Sequence, residues 1–106
     1  MVKKVLCGAG FVEDETFRET RFLKPPKETY AIYLHAYTRG GADGLNLVKY
    51  CEDTIELYSY KPDPAAEARL EKSFDDLGLE YEKSERMWID EEQLYEVVYS
   101  FSYTEK

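Results

Sequence analysis

One histidine, one tryptophan and two cysteines stand among 106 residues, and these scarcities close off several kinds of chemistry. Cys7 and Cys51 allow at most one bridge, so no disulfide framework holds the chain. Nothing else points to an oxidising compartment, and both are expected as free thiols. The lone histidine, His35, lies in an alternating stretch that supplies no second positioned group, which general-base catalysis requires. It reads as structural. Metal binding needs spaced histidines, cysteines or carboxylates, whereas Cys51-Glu52-Asp53 are adjacent and would alternate across a strand. Gly40-Gly41-Ala42-Asp43-Gly44 lacks the Lys-Ser/Thr pair of a phosphate loop and opens no helix. No nucleophile stands beside a base. The expectation is a protein that is not an enzyme and carries no cofactor or metal.

Long apolar runs are missing too. None approaches the roughly 18 to 20 residues of a membrane span, and Gly8 and Gly10 cut the first apolar run too short for a signal peptide. A protein made and used in a cytoplasm is expected. Positive charge is also in deficit: 14 bases face 22 acids, a net charge of −8. Phosphate backbones and anionic lipids are held by clustered Lys and Arg. Tight nucleic-acid binding and membrane docking are therefore excluded from the expectation.

What is present is enough apolar material for a core. The hydrophobic share is 43% and the aromatic share 15%, which argues against disorder, and the length fits one domain over residues 1–106. After Pro25-Pro26, Thr29 to His35 reads as a strand. Thr38 to Gly44 reads as a loop. Val48 to Tyr60 reads as a second strand, antiparallel to the first, with Ile55 and Leu57 on one side and Thr54, Glu56 and Tyr58 on the other. Asp63-Pro64 opens the clearest helix, in which Ala66, Leu70, Phe74 and Leu77 form an apolar stripe that ends at Gly78. A short strand from Tyr81 towards Ile89, then a turn carrying Glu91 and Glu92, leads to a long strand over 93–104. There Tyr95, Val97, Tyr99, Phe101 and Tyr103 share a face. The fold class is thus α+β: an antiparallel sheet of about four strands in the order strand, strand, helix, strand, strand, with one main helix on a face. Residues 1–24 are a separate N-terminal segment, in which Val2, Val5 and Leu6 fit a short helix capped at Gly8, while Phe17 and Phe22 fit an extended stretch over the sheet.

Ten tyrosines are the unusual feature. Tyrosine offers large contact area with one polar end, which suits either a protein interface or a sheet face half in solvent. Two strands, near 48–60 and 93–104, look about twice the usual five or six residues. Strands that long overhang a sheet as an arm and present edges for a neighbour. The candidate contact residues are Arg39, Asp43 and Asn46 in the loop, and Trp88, Tyr95, Tyr99 and Tyr103 near the sheet. Trp88 suits the core equally well.

The run Phe17 to Lys27, the strand Tyr30 to Tyr33, the motif Gly41 to Asn46, Thr54-Ile55-Glu56-Leu57-Tyr58, Asp63-Pro64 and Glu92 to Tyr99 together resemble small proteins of tailed phages and prophages of Gram-positive bacteria. The likeness runs from about Phe11 to the C-terminus, and it is to tail terminator, or tail completion, proteins. The resemblance implies an α+β sandwich that assembles as a ring, commonly a hexamer, at the head-proximal end of the tail tube. Its partners would be further copies and other tail or head–tail connector proteins. The virion would be its destination and the bacterial host cytoplasm its place of synthesis. The N-terminal helix is shorter here than is usual in that family. An acidic chain also suits a collar through which DNA passes without sticking. Two other classes share part of the pattern: an acidic inhibitor that imitates DNA, and a small-molecule enzyme. The first needs carboxylates spaced like phosphates, which Lys83-Ser84-Glu85-Arg86 interrupts; the second needs His35 bonded to a buried carboxylate in a cleft.

Overall fold

A computed structural model describes residues 1–40 and 48–105. Helix α1 spans Val2–Gly8, strand β1 Phe17–Glu19, β2 Tyr30–Gly40, β3 Val48–Ser59, helix α2 Pro64–Asp76, and strands β4, β5 and β6 Glu82–Lys83, Met87–Ile89 and Leu94–Glu105. The strands form one six-stranded sheet in the order β1-β2-β3-β6-β4, with β5 also on β6. Both helices pack on one face of it, an α+β arrangement in two layers.

Helix α2 starts where its chemistry says it should. The Asp63 carboxylate accepts from the Ala66 amide at 3.0 Å, and Pro64 needs no amide partner in the first turn. Thr29 Oγ1 donates to the same carboxylate at 2.7 Å, and this bond, with the Ala66 amide, holds Asp63 below the usual carboxylate range despite its partial burial. Gly78 follows the helix at φ +68°, a conformation that suits glycine. The buried stripe is Ala66, Leu70, Ser73 and Phe74; Leu77 is exposed, because the helix has already turned its last apolar position off the sheet. Ser73 earns its place by a close helix crossing. Its hydroxyl donates to the Val5 carbonyl at 2.6 Å, and a methyl group on Gly8 would lie 2.5 Å from Ser73 Oγ.

The sheet is mixed rather than purely antiparallel, with six strands in place of four and two helices in place of one. The parallel strand and the second helix come from the N-terminal segment, and the sixth strand from a break in the expected strand between Tyr81 and Ile89. Alternatives for residues 1–24 resolve as both: Val2, Val5 and Leu6 are buried on α1, and Phe17 is buried on β1. Strand β1 pairs parallel with β2, Phe17 opposite Ala31. The expected single strand from Tyr81 to Ile89 is two short ones. Between them Ser84 takes over the pairing with its side chain, its hydroxyl accepting from the Val98 amide at 2.8 Å, and Arg86 turns to Glu67 at 2.7 Å. Strand β2 runs on through Thr38, Arg39 and Gly40, positions expected in a loop, because each pairs with β3, Arg39 opposite Lys49. Antiparallel pairing of β2, β3 and β6 is continuous: Ala31, Leu57 and Val97 make one row across the sheet, Tyr33, Ile55 and Tyr99 the next, then His35, Asp53 and Phe101.

Candidate functional site

The three long strands, 11, 12 and 12 residues, outrun the helices. Where α1 and α2 cover them the inward side chains are apolar, from Ala31 and Leu57 to Tyr99 and Phe101. Beyond that cover the same face continues with His35, Tyr37 and Arg39 on β2, Cys51 and Lys49 on β3, and Tyr103 and Glu105 on β6. This uncovered part is the arm.

Its root is a polar cluster around Asp53. The Asp53 side chain is fully enclosed, yet both its oxygens are bonded: His35 Nδ1 lies 2.5 Å from one, and the Tyr103 hydroxyl donates to the other at 2.7 Å. A buried carboxylate is tolerable only with such partners. Burial, and next the bond to Asp53, push the Tyr103 hydroxyl well above its ordinary pKa of 10. Further out, Lys49 reaches Glu105 at 3.4 Å and lies 4.2 Å from the centre of the Tyr37 ring. A cleft of about 260 Å3 beside the cluster is bordered by Val2, Lys3, Glu19, His35, Tyr103 and Glu105.

His35 therefore has the carboxylate partner that its local sequence did not supply. Asp53 occupies Nδ1, which leaves Nε2 as the other ring nitrogen of a residue that borders the cleft. That is the orienting half of an acid–base device. The other half, a hydroxyl or thiol bonded to His35, is absent among the described residues. Cys51, one row away, is buried and free, with Sγ 3.9 Å from Glu105. Among the described residues no group of His, Cys, Asp and Glu is placed to hold a metal ion.

The arm has open sides. On the β2 side the short β1 ladder ends at Tyr33, and residues 34–40 have no outer neighbour among the described residues. The His35 side chain is 27% exposed, yet the residue as a whole is exposed, so the backbone itself lies open. On the far side β4 pairs only with Tyr99 and Ser100, leaving Phe101–Glu105 of β6 without an outer strand among the described residues. A shallow hollow of about 500 Å3 lies where β4 stops, between Glu80, Glu82, Ser100 and Ser102.

The candidate contact residues separate into three places. Arg39 and Tyr103 belong to the arm, at its exposed tip and at its root. Trp88 and Tyr95 pack edge to face at 4.9 Å, near the other end of β6. Trp88 is exposed, and Tyr95 is half-buried. Tyr99 is a core residue: fully buried, it donates to Glu71 at 2.8 Å and has no surface to offer a partner. Tyrosine is scored as amphipathic in a pattern, and only the helix packed over it decides which end is wet. Asp43 and Asn46 lie outside the described residues. Sequence reasoning missed Asp53, Lys49 and Glu105. The signal for Asp53 was in the strand already: the alternation that turns Ile55 and Leu57 inward also turns Asp53 inward.

No protein-family model matches this chain, and no curated protein matches it. No helix among the described residues is long and apolar enough to cross a membrane.

Proposed function

We propose that this protein is a non-enzymatic structural component of a tailed phage or prophage. In this reading it acts as a tail terminator or tail completion protein, forming a ring of like copies at the head-proximal end of the tail. It is made in the host cytoplasm and ends in the virion. One observation carries the reading: β2, β3 and β6 project past the helix layer as an arm with no outer strand on either side among the described residues. Unpaired strand edges are aggregation hazards that monomers blunt with Pro, Lys or bulges. Residues 34–40 and 101–105 contain no Pro or Lys and pair with β3 without a bulge, so Arg39 and Glu105 near the tip are their main charged guards. An edge left open in this way is suited to a partner strand. Two different edges on one molecule supply the heterologous contact that a closed ring needs.

Light scattering across concentration, alone and mixed with tail-tube protein, tests the proposal. Growth to a closed oligomer of fixed size is the expected result. A chain that stays monomeric under every condition overturns it.

A second reading rests on His35 and Asp53 beside the cleft: an acid–base site acting on a small molecule. It predicts a turnover reaction that His35→Ala abolishes while the fold, read by circular dichroism, is unchanged. Purified protein with no turnover on ester, phosphoester and glycoside panels removes it.

A further inference from the structure

We propose that copies join by extending the sheet from arm to arm, with β6 of one copy lying parallel to β2 of the next, Tyr103 beside Tyr37 and Glu105 beside Arg39. This rests on the assembly reading above and specifies its interface.

Backbone direction comes first. The Ala31 amide donates outward to Thr16, and the Tyr33 carbonyl accepts from Thr20. Odd-numbered residues of β2 therefore aim their amides and carbonyls away from β3, which leaves those of His35, Tyr37 and Arg39 facing the open edge. On β6 the Val98 carbonyl accepts from Ser84 on the outer side, so even-numbered residues point outward and Ser102 and Thr104 face the other edge. Both β2 and β6 run antiparallel to β3, hence parallel to each other. Copies in like orientation thus meet as parallel strands. In a parallel ladder one residue bonds to the two flanking its opposite number. With Tyr37 opposite Tyr103, its amide donates to the Ser102 carbonyl and its carbonyl accepts from the Thr104 amide. The β2 edge already takes one parallel strand of its own chain, β1, along Ala31–Tyr33, and the new strand continues along that edge.

Side chains favour this register. Within the chain, Arg39, Lys49 and Glu105 form one row, as do Tyr37, Cys51 and Tyr103. Unshifted copies continue each row across the junction, so the acid at one edge meets the base at the other. A slip of two residues would set Glu105 against Tyr37 and lose that pair; a slip of one would misalign the hydrogen bonds.

The test is charge reversal by halves. Arg39→Glu alone sets two acids together at the junction, and Glu105→Arg alone sets two bases together. Each is expected to weaken self-association on the order of tenfold or more, as like charges across an interface do. Mixed in equal amounts the two variants present only opposite charges at alternating junctions, and assembly is restored to near the wild-type level. Thermal melts establish that each variant folds. Tyr37→Pro gives an independent arm, removing an outward amide while sparing the β2–β3 ladder, and is expected to abolish assembly. If wild type assembles and either charge variant does so equally well, or the mixture fails to recover, the register is wrong although the assembly reading survives. A two-fold dimer through β2 alone would leave Glu105→Arg without effect and also overturns it. If wild type never assembles, the reading beneath it falls instead.

Discussion

The two halves of β2, β3 and β6 share strands, register and hydrogen-bond ladders but not a core. In the covered half, Ala31, Leu57 and Val97, then Tyr33, Ile55 and Tyr99, are all buried under α1 and α2. In the arm, the equivalent rows end in Tyr37, Arg39 and Glu105 at the surface. Row His35–Asp53–Phe101 lies at the boundary and has both characters, an apolar ring on one strand and a buried carboxylate on the next. Pairing satisfies the backbone in both halves, yet only the helix layer removes a large apolar area from water. A three-stranded ribbon with neither face under a helix contributes little to the stability of a domain and opens at low cost. In the proposed assembly, a neighbouring copy completes the arm.

The sharpest way to break this contrast is at Phe74. It is fully buried, with ring centres 4.7 Å from Tyr81, 5.0 Å from Phe101 and 5.9 Å from Tyr99. Phe74→Ala is expected to cost about 3–5 kcal/mol, read as a fall in the urea midpoint. A loss under about 1 kcal/mol would mean that the helix layer is not what stabilises the sheet. Next comes the boundary. Asp53→Ala strips both His35 and Tyr103 of a bonding partner, an expected loss of about 2 kcal/mol. The Tyr103 phenol should also titrate closer to its ordinary pKa of 10 by ultraviolet absorbance, since a neighbouring charge that held it up is gone. Amide exchange should quicken in the arm before it does in the covered half.

A third change tests the covered half from its edge. Asp63→Ala removes the cap of α2 and the bond from Thr29, an expected cost of about 1 kcal/mol. The pH dependence has a definite sign. Asp63 is held below the ordinary carboxylate range when folded, by Thr29 first. Its contribution is complete above the unfolded pKa and disappears as pH falls through the lower, folded one. Acid melts of wild type and Asp63→Ala should therefore converge at the lowest pH; curves that stay parallel throughout would count against the cap.

The covered half was the legible one. Asp63-Pro64 and Gly78 mark α2 by their own local chemistry, and Ile55 and Leu57 mark β3 by period two, so neighbours in sequence carried the information. The parallel strand β1 was not legible as such: Phe17 pairs with Ala31 across a connection containing Pro25-Pro26, and three residues have no periodicity to show. Strand β2 was cut short because Gly40 resembles a turn, although pairing with Val48 keeps it extended. His35 and Asp53 are 18 residues apart and meet only through the β2–β3 register. Tyr99 and Tyr103 lie on one face, and only the reach of α2 makes the first core and the second a boundary residue.

Tyr37→Ser should be the mildest change to the isolated chain and the one that best separates the two halves. Tyr37 is 51% exposed. Its ring is touched by His35 at 5.7 Å and by the cations of Lys49 and Arg39, and His35 and Lys49 keep their own partners, Asp53 and Glu105, without it. Truncation at such a site alters folding stability by no more than about 0.5 kcal/mol, a shift of a few degrees in melting temperature at most for this size. Interfaces weigh the same atoms differently, because an aromatic ring that is half in solvent in the free chain becomes fully desolvated when a partner strand closes over it. Tyr37→Ser is therefore expected to leave the melting curve of dilute protein nearly unchanged while weakening self-association on the order of tenfold. Equal losses in both measurements would make the arm part of the core after all, and the distinction between the two halves would fail.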